Sequence, residues 1–407
     1  MLEYRDSTGA NLISAGAGLS TAEDTERAAR EAAQTALEQA GIERADWALL
    51  FATAAHRFAY RDLVRSVAEE LETDCLVGCT GAGVLTHEGE VEGSAGVCVL
   101  AVASDSIRAI PFLFRDEGDG GLTSGYELAA TLAGSEPERD LLVLLPDPYH
   151  IQPERLLRAI DSKLGPVPAV GAAAADDGTA GATYQFCGEE ISSASVAGIR
   201  LHGRFRHTIG VTQGCRPIGE PLILTRVLGN IAVELDGRPA LSVLAEQLPC
   251  HLLEDVQRLL NNVFVALLPD PSDREIHSGE YLVRNFTSFD PAQGSFGVAT
   301  QLVEGQTLMF VVREGATARE DLKRMLESIR ARQVGGSYRF GFYFNCAGRG
   351  RSLYHIPGID TAFLGAALGQ VPIAGFFGNA ELAPMRGVNR LFTYTGVLAL
   401  FSEQEGG

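Results

Sequence analysis

Lysine is nearly missing from this chain. Of 33 basic residues only Lys163 and Lys323 are lysines, and 52 acidic residues leave a net charge of −19. Such a balance repels phosphate backbones and anionic lipid, so nucleic acid is excluded as a partner. The arginine bias suits bidentate carboxylate or phosphate contacts, although a biased genome composition explains it equally well. No apolar run reaches the roughly 18 to 20 residues that span a bilayer, which excludes membrane insertion by a helix. Met1 to Ala10 is polar and charged where a signal peptide carries an apolar core, so the expected location is cytoplasmic. The seven cysteines, at 75, 79, 98, 187, 215, 250 and 346, are odd in number and lack the paired spacing of zinc sites. They read as small buried apolar residues, and neither metal nor cofactor is expected. The P-loop, the dinucleotide glycine fingerprint and the serine nucleophile elbow are missing too; Gly16-Ala17-Gly18 precedes a helix but lacks the rest of the pattern.

What is present is a repeated unit. With 407 residues, 46% hydrophobic and 21% charged, the chain is long enough for two or three cores. An apolar strand, a helix and a glycine-containing second strand occur three times: from Trp47 to Gly78, from Leu141 to Gly171 and from Phe342 to Gly375. A glycine at a buried strand end lets a ligand or another backbone approach closely, and both alternatives stand open for Gly78, Gly171 and Gly375. Thr21 to Ala40 is an amphipathic helix, capped by Ser20 or Thr21, whose Ala28, Ala32, Ala36 and Ala40 form a thin face able to approach a sheet. Val97 to Ala103 and Ile107 to Phe114 read as antiparallel strands, and further strands follow each unit, unlike a purely parallel doubly wound sheet. Glu234 to Leu244 and Leu253 to Asn261 read as helical, and the tail from Ser402 as disordered. The expected fold class is mixed α/β (α+β), with mixed sheets covered by helices in a layered sandwich.

Several separated motifs then occur in order. Gly214-Cys215-Arg216-Pro217-Ile218-Gly219, Asn230 with Glu234-Leu235-Asp236-Gly237, Val283-Arg284, Cys346-Ala347-Gly348-Arg349-Gly350 and Gly375-Phe376-Phe377 with Glu381 together resemble the FIST family. The resemblance runs from about Ala15 to Phe401 and implies a FIST N-terminal domain over 10–228 packed on a FIST C-terminal domain over 229–401. It also implies a sensory module for a small ligand such as an amino acid, here without length for a fused kinase, cyclase or F-box segment. A separate signalling protein is then the expected partner. Ala380 stands where the family carries glycine.

Cys346 to Arg351 is the sharpest candidate site. A thiol, two guanidinium groups and two glycines follow a buried strand, a setting that lowers a thiol pKa and offers backbone N–H groups to an anion. The alternative is a buried Cys346 with Arg349 paired to a structural acid such as Glu381. Asp176 and Asp177 would receive a ligand's ammonium group, or else form a solvated turn. The ligand-binding set is therefore Gly171, Asp176, Asp177, Arg216, Cys346, Gly348, Arg349, Gly350, Gly375 and Glu381. His56, His150 and His355 follow the first strand of each unit at unequal distances, and read as exposed loop histidines rather than zinc ligands. Competing with the sensor are a cysteine-dependent enzyme using Cys346 and a protein-interaction scaffold.

Overall fold

The computed structural model describes residues 13–404 apart from 133, 135, 137, 166, 249–255, 275–278, 334 and 335. The chain divides into two compact units. The larger comprises Met1–Val211, Lys323–Leu391 and Gly396–Gly407, and the smaller Thr212–Leu322 and Phe392–Thr395.

The larger unit is one plan executed three times. The first repeat runs strand Ile13–Ser20, helix Thr25–Ala40, strand Trp47–Thr53, helix Tyr60–Leu71, strand Leu76–Gly81, a hairpin of Gly83–Thr86 and Gly89–Glu92, and strand Val97–Ser104. The second runs Ile107–Arg115, helix Leu122–Thr131, Asp140–Pro146, helix Pro153–Leu164, Ala169–Ala172, the hairpin Gln185–Cys187 and Glu190–Ser192, and Ser195–Gly203. The third begins with Phe205–Gln213 and resumes with helix Gly315–Arg332, which enters the larger unit at Lys323. It continues through Tyr338–Cys346, helices Gly350–Tyr354 and Ile359–Leu368, Ile373–Gly378, the hairpin Glu381–Met385 and Val388–Phe392, and Thr395–Glu403.

Each repeat builds a sheet in the order first strand, last strand, second strand, third strand, with the second and third parallel. Its hairpin does not stay at home. The first repeat's hairpin pairs with Ile373–Gly378 of the third, the third's with Ala169–Ala172 of the second, and the second's with Leu76–Gly81 of the first. Three six-stranded sheets thus exchange hairpins in a closed cycle. Because each hairpin completes another repeat's sheet, no repeat has its full set of backbone partners alone.

Sequence explains the central strands directly. Every residue of Trp47–Thr53 and of Asp140–Pro146 is buried, so these strands are apolar without alternation, as expected for sheets covered on both faces. One face of the first sheet takes the alanine stripe: a Cβ on Gly16 or Gly18 would lie 2.1 or 2.0 Å from the carbonyl oxygen of Ala36 or Ala32. The other face meets the third sheet through aromatics, with Trp47 5.6 Å from Phe340 and Phe51 4.7 Å from Phe376 between ring centroids. Each such ring, fully buried, contributes roughly 1.5–3 kcal/mol.

Helix Thr25–Ala40 is capped by Asp24, whose carboxylate accepts the Arg27 N–H at 2.8 Å; Ser20 is still in the preceding strand, which corrects the expected cap at Ser20 or Thr21. The C-terminal strand continues through Glu403 with Ser402 buried, so order extends beyond the expected end at residue 401.

The smaller unit is an eight-stranded antiparallel sheet, curled into a half-barrel around a core that includes Leu224, Val265, Phe296 and Phe310. Its 14-residue strand Cys215–Leu228 carries a register shift between Ile218 and Leu222, which bends it. Glu234 is in strand Ile231–Leu235, and helix starts only at Ala240. Between them Asp236 and Gly237 take positive φ, +49° and +73°, closing a two-residue hairpin that pairs Leu235 with Arg238. That turn overrides the helical reading of Glu234 to Leu244. The second expected helix is present as Val256–Asn262, with 253–255 outside the described residues.

Candidate functional site

The three glycines occupy one register. Gly78 lies opposite Leu50, Gly171 opposite Leu144 and Gly375 opposite Tyr343 in the parallel strand pairs. A Cβ on each would sit 1.7, 2.0 and 1.8 Å from the carbonyl oxygen of that partner. The missing side chains therefore make room for the neighbouring strand, the packing alternative that the sequence left open.

The strand ends beyond these glycines do meet. Ala82 donates its N–H to the Phe377 carbonyl at 2.9 Å and Ala175 to Thr80 at 3.0 Å. Asn379 donates to Ala173 at 2.9 Å, and Ala173 to Ala380 at 2.8 Å. Each end is thus bonded to both others in a closed ring. The ring is buried at Thr80, Ala173, Ala174 and Ala380, while Asn379 is exposed and Ala82, Ala347, Gly348 and Asp176 are half-buried. Ala347 joins the ring through its N–H to Gly378, which brings in the turn after Cys346.

At the third repeat this turn is sealed. Arg349 is fully buried and bidentate to Asp360, Nε to Oδ2 at 3.0 Å and Nη2 to Oδ1 at 3.2 Å. Tyr343, Asn345 and Tyr354 donate to the same carboxylate at 2.9, 3.0 and 2.8 Å. Burial alone would raise the Asp360 pKa, but Arg349 and the hydrogen bonds hold it below the ordinary value. Burial likewise opposes the charge on Arg349, and Asp360 outweighs it. The structural acid is thus Asp360, supplied by helix Ile359–Leu368, rather than Glu381, which sits opposite Ala172 in the second repeat's sheet.

The anion nest expected after Arg349 is filled by the chain itself. Glu92, on the hairpin from the first repeat, accepts the Arg351 N–H at 2.9 Å, and a Cβ on Gly350 would lie 2.6 Å from its carboxylate. Glu90 on the same hairpin accepts the Gly358 N–H ahead of helix Ile359–Leu368. Burial pushes the Glu90 carboxyl up to about 7 and raises that of Glu92.

The second repeat ends differently. Asp147, 1% exposed, accepts the hydroxyl of Thr183 on Oδ1 and the backbone N–H of His150 on Oδ2 at 3.1 Å. The same Oδ2 lies 2.6 Å from His150 Nδ1, on an imidazole whose side chain is 57% exposed. Asp176 accepts the Tyr149 hydroxyl at 3.3 Å and the N–H groups of Gly178 and Gly181; Asp177 accepts from Thr179 and Ala180. Hydrogen bonds from Thr179 are the main reason that the Asp177 carboxyl lies below its ordinary value. Asp177 also stands 4.0 Å from Arg57, whose guanidinium covers the ring of the exposed Phe58.

Other expected residues disperse. Arg216 belongs to the smaller unit, where it pairs with Glu314 at 3.1 Å on the surface. Cys346 is 4% exposed. His355 is exposed, but His56 is buried, with Nδ1 3.0 Å from the Thr25 hydroxyl, because its short turn tucks against the start of the first helix; this corrects its reading as an exposed loop histidine. Cys250 lies outside the described residues. Among the described residues no group of three or more side chains is arranged to hold a metal. Two surface cavities of the larger unit, of about 280 and 540 Å³, are lined in part by His207, Arg332 and Tyr338 and by Gln39, Arg339 and Gln370; neither includes a residue of the expected set.

Sequence reading missed Asp360, Glu90, Glu92 and Asp147. Asp147 carried a local signal, since it directly follows an apolar strand three residues before a histidine. Asp360 and the two glutamates carried none, because their partners come from other segments.

Fold and site together define a three-repeat α/β protein interrupted by a β-rich insertion, with polar turns gathered at one ring of strand ends. The FIST N domain profile matches residues 46–238 and the FIST C domain profile residues 240–384, and the chain belongs to the FIST family. FIST domains are generally described as small-ligand sensory domains in signal transduction. An uncharacterized protein of Mycobacterium tuberculosis strain H37Rv is 32% identical over 388 residues, 95% of this chain and 99% of the relative. An uncharacterized protein of Mycobacterium bovis is 30% identical over 386 residues, 95% of this chain and 98% of its own. Among solved structures, a chorismatase aligns with 97% of this chain and 99% of its own at 8% identity and TM-score 0.37. A cyanuric acid hydrolase from A. caulinodans aligns with 48% of this chain and 72% of its own at 12% identity and TM-score 0.28. Likeness at that level carries nothing about chemistry. No helix among the described residues is long and apolar enough to cross a membrane.

Proposed function

We propose that this protein is a cytoplasmic sensor that binds a small anion or zwitterion, such as an amino acid, and passes its state to a separate signalling protein. The observation that carries the reading is the ring of strand ends. Three segments far apart in sequence are hydrogen-bonded together, and the half-buried Ala347, Gly348, Ala82 and Asp176 lie with exposed Asn379 at that ring. Small side chains there leave backbone groups within reach of a small ligand.

Of the expected ligand-binding set, Asp176, Cys346, Gly348 and Glu381 belong to the strand-end segments. Arg349 and Gly350 act through the turn that they hold in shape, and Gly171 and Gly375 through the strand spacing. Asp177 flanks the ring, and Arg216 is tested separately. Native mass spectrometry of gently purified protein, followed by thermal shift against amino acids, small carboxylates and phosphates, tests the proposal. A retained small molecule, or stabilisation that grows with ligand concentration, is the expected result. Folded protein that carries no added mass and responds to nothing in the panel would refute it.

A further inference from the structure

We propose that His150, oriented by Asp147, is a ligand-contacting group at the ring, and that its Nε2 accepts a hydrogen bond from an ammonium or hydroxyl group of the ligand. This rests on the receptor reading above and assigns one pole of its site.

A carboxylate buried as deeply as Asp147 is costly unless hydrogen-bonded, and it has three donors: the Thr183 hydroxyl, the His150 N–H and His150 Nδ1. An ionised carboxylate only accepts, so the proton in the 2.6 Å contact belongs to Nδ1. In its neutral form the ring then carries its lone pair on Nε2, and with the side chain 57% exposed the imidazole is open to solvent. Closing the turn requires only the backbone N–H of His150; the imidazole adds a base of fixed tautomer at the surface.

The equivalent positions lack this arrangement. Counting three residues on from Leu50, Leu144 and Tyr343, the repeats place Thr53, Asp147 and Cys346 at one point. Thr53 donates its hydroxyl to the Ser94 carbonyl and accepts the Gly96 N–H, and Cys346 is buried. The neighbours of His150 are acceptors as well. Tyr149, one residue earlier, donates its hydroxyl to Asp176, and Asp177, next in sequence to Asp176, carries a second carboxylate 4.0 Å from the Arg57 guanidinium. A ligand's donor end matches this pole better than its carboxylate does.

Nitrogen-15 NMR of histidine-labelled protein tests the assignment without mutation. The neutral His150 ring is expected as the Nδ1–H tautomer, with the Nε2 resonance shifted by millimolar ethanolamine or L-serine and unmoved by acetate. An Nε2–H tautomer, or an Nε2 resonance that none of the three probes moves, overturns the proposal. Diethyl pyrocarbonate labelling gives a second readout: His150 is expected to react about tenfold faster than exposed His355, and Asp147→Asn to remove that excess. Equal rates in the wild type overturn the positioning role of Asp147. Failure of the receptor reading is distinguishable, since it leaves no ligand that stabilises the protein at all. Failure of this inference alone leaves a ligand whose thermal shift is undiminished in His150→Phe.

Discussion

The second and third repeats end on the same backbone and use it in opposite ways. Asp147 and Cys346 are equivalent by register, yet the third repeat encloses a complete ion pair at its turn while the second turns an imidazole outward. The difference lies in which partners arrive. Arg349 meets Asp360 from helix Ile359–Leu368, and the hairpin of the first repeat lays Glu92 against the turn and Glu90 against the start of that helix. At the second repeat the buried carboxylate meets a hydroxyl, a backbone N–H and a histidine ring. The buried pair is shut away from a ligand, with Arg349 and Asp360 0% and 1% exposed, whereas a carboxylate that orients an exposed ring leaves one nitrogen open to solvent.

The largest test of that contrast is Asp360→Ala, which strands a buried guanidinium and should cost about 3–5 kcal/mol in chemical denaturation. Asp147→Ala removes neutral donors' acceptor and should cost about 1–3 kcal/mol. Equal losses would erase the distinction between a sealed end and an open one. The glycine register should instead behave alike in all three repeats. Gly78→Ala, Gly171→Ala and Gly375→Ala each force a Cβ into a strand carbonyl and should cost roughly 3 kcal/mol. A benign alanine at any one would show that its glycine serves something other than strand spacing.

Acid titration separates the two kinds of carboxylate at the third repeat. Asp360 is depressed in the folded state, so its contribution is complete above about 3.8 and is lost as pH falls through its folded value. Glu90 is raised, so the folded state binds the proton more tightly and stability falls as pH rises from 4.5 to about 7. Glu90→Gln should remove the latter slope and stabilise the protein above pH 7 by on the order of 1 kcal/mol after solvent screening. Urea midpoints between pH 5 and 8 check this, and a slope unchanged in the variant would refute it. Smallest is Arg216→Ala, a surface pair expected to shift stability by less than about 0.5 kcal/mol. Loss of a ligand's thermal shift in that variant would instead bring Arg216 into the site.

Much of the layout was legible. The three strand-helix-strand units stand where the apolar runs placed them, and the alanine stripe meets the sheet as its spacing required. The first strand, Ile13–Ser20, escaped notice because its glycines and alanines resemble a loop; they are small because helix carbonyls lie against them. The exchanged hairpins were also illegible, since strands of three to five residues that complete another repeat's sheet carry no pattern of their own.

The sequence by itself determined what depends on neighbours along the chain: helix faces, the continuous apolar strands, the acidic charge and the family. Only the tertiary structure decided that Gly375 serves a carbonyl, that Arg349 belongs to Asp360, that Glu92 occupies the expected anion nest and that Asp147 aligns with Cys346. Those outcomes depend on which segments are brought within about 3 Å, the range of a hydrogen bond, and local periodicity says nothing about partners in other segments, whether 11 residues away or 259.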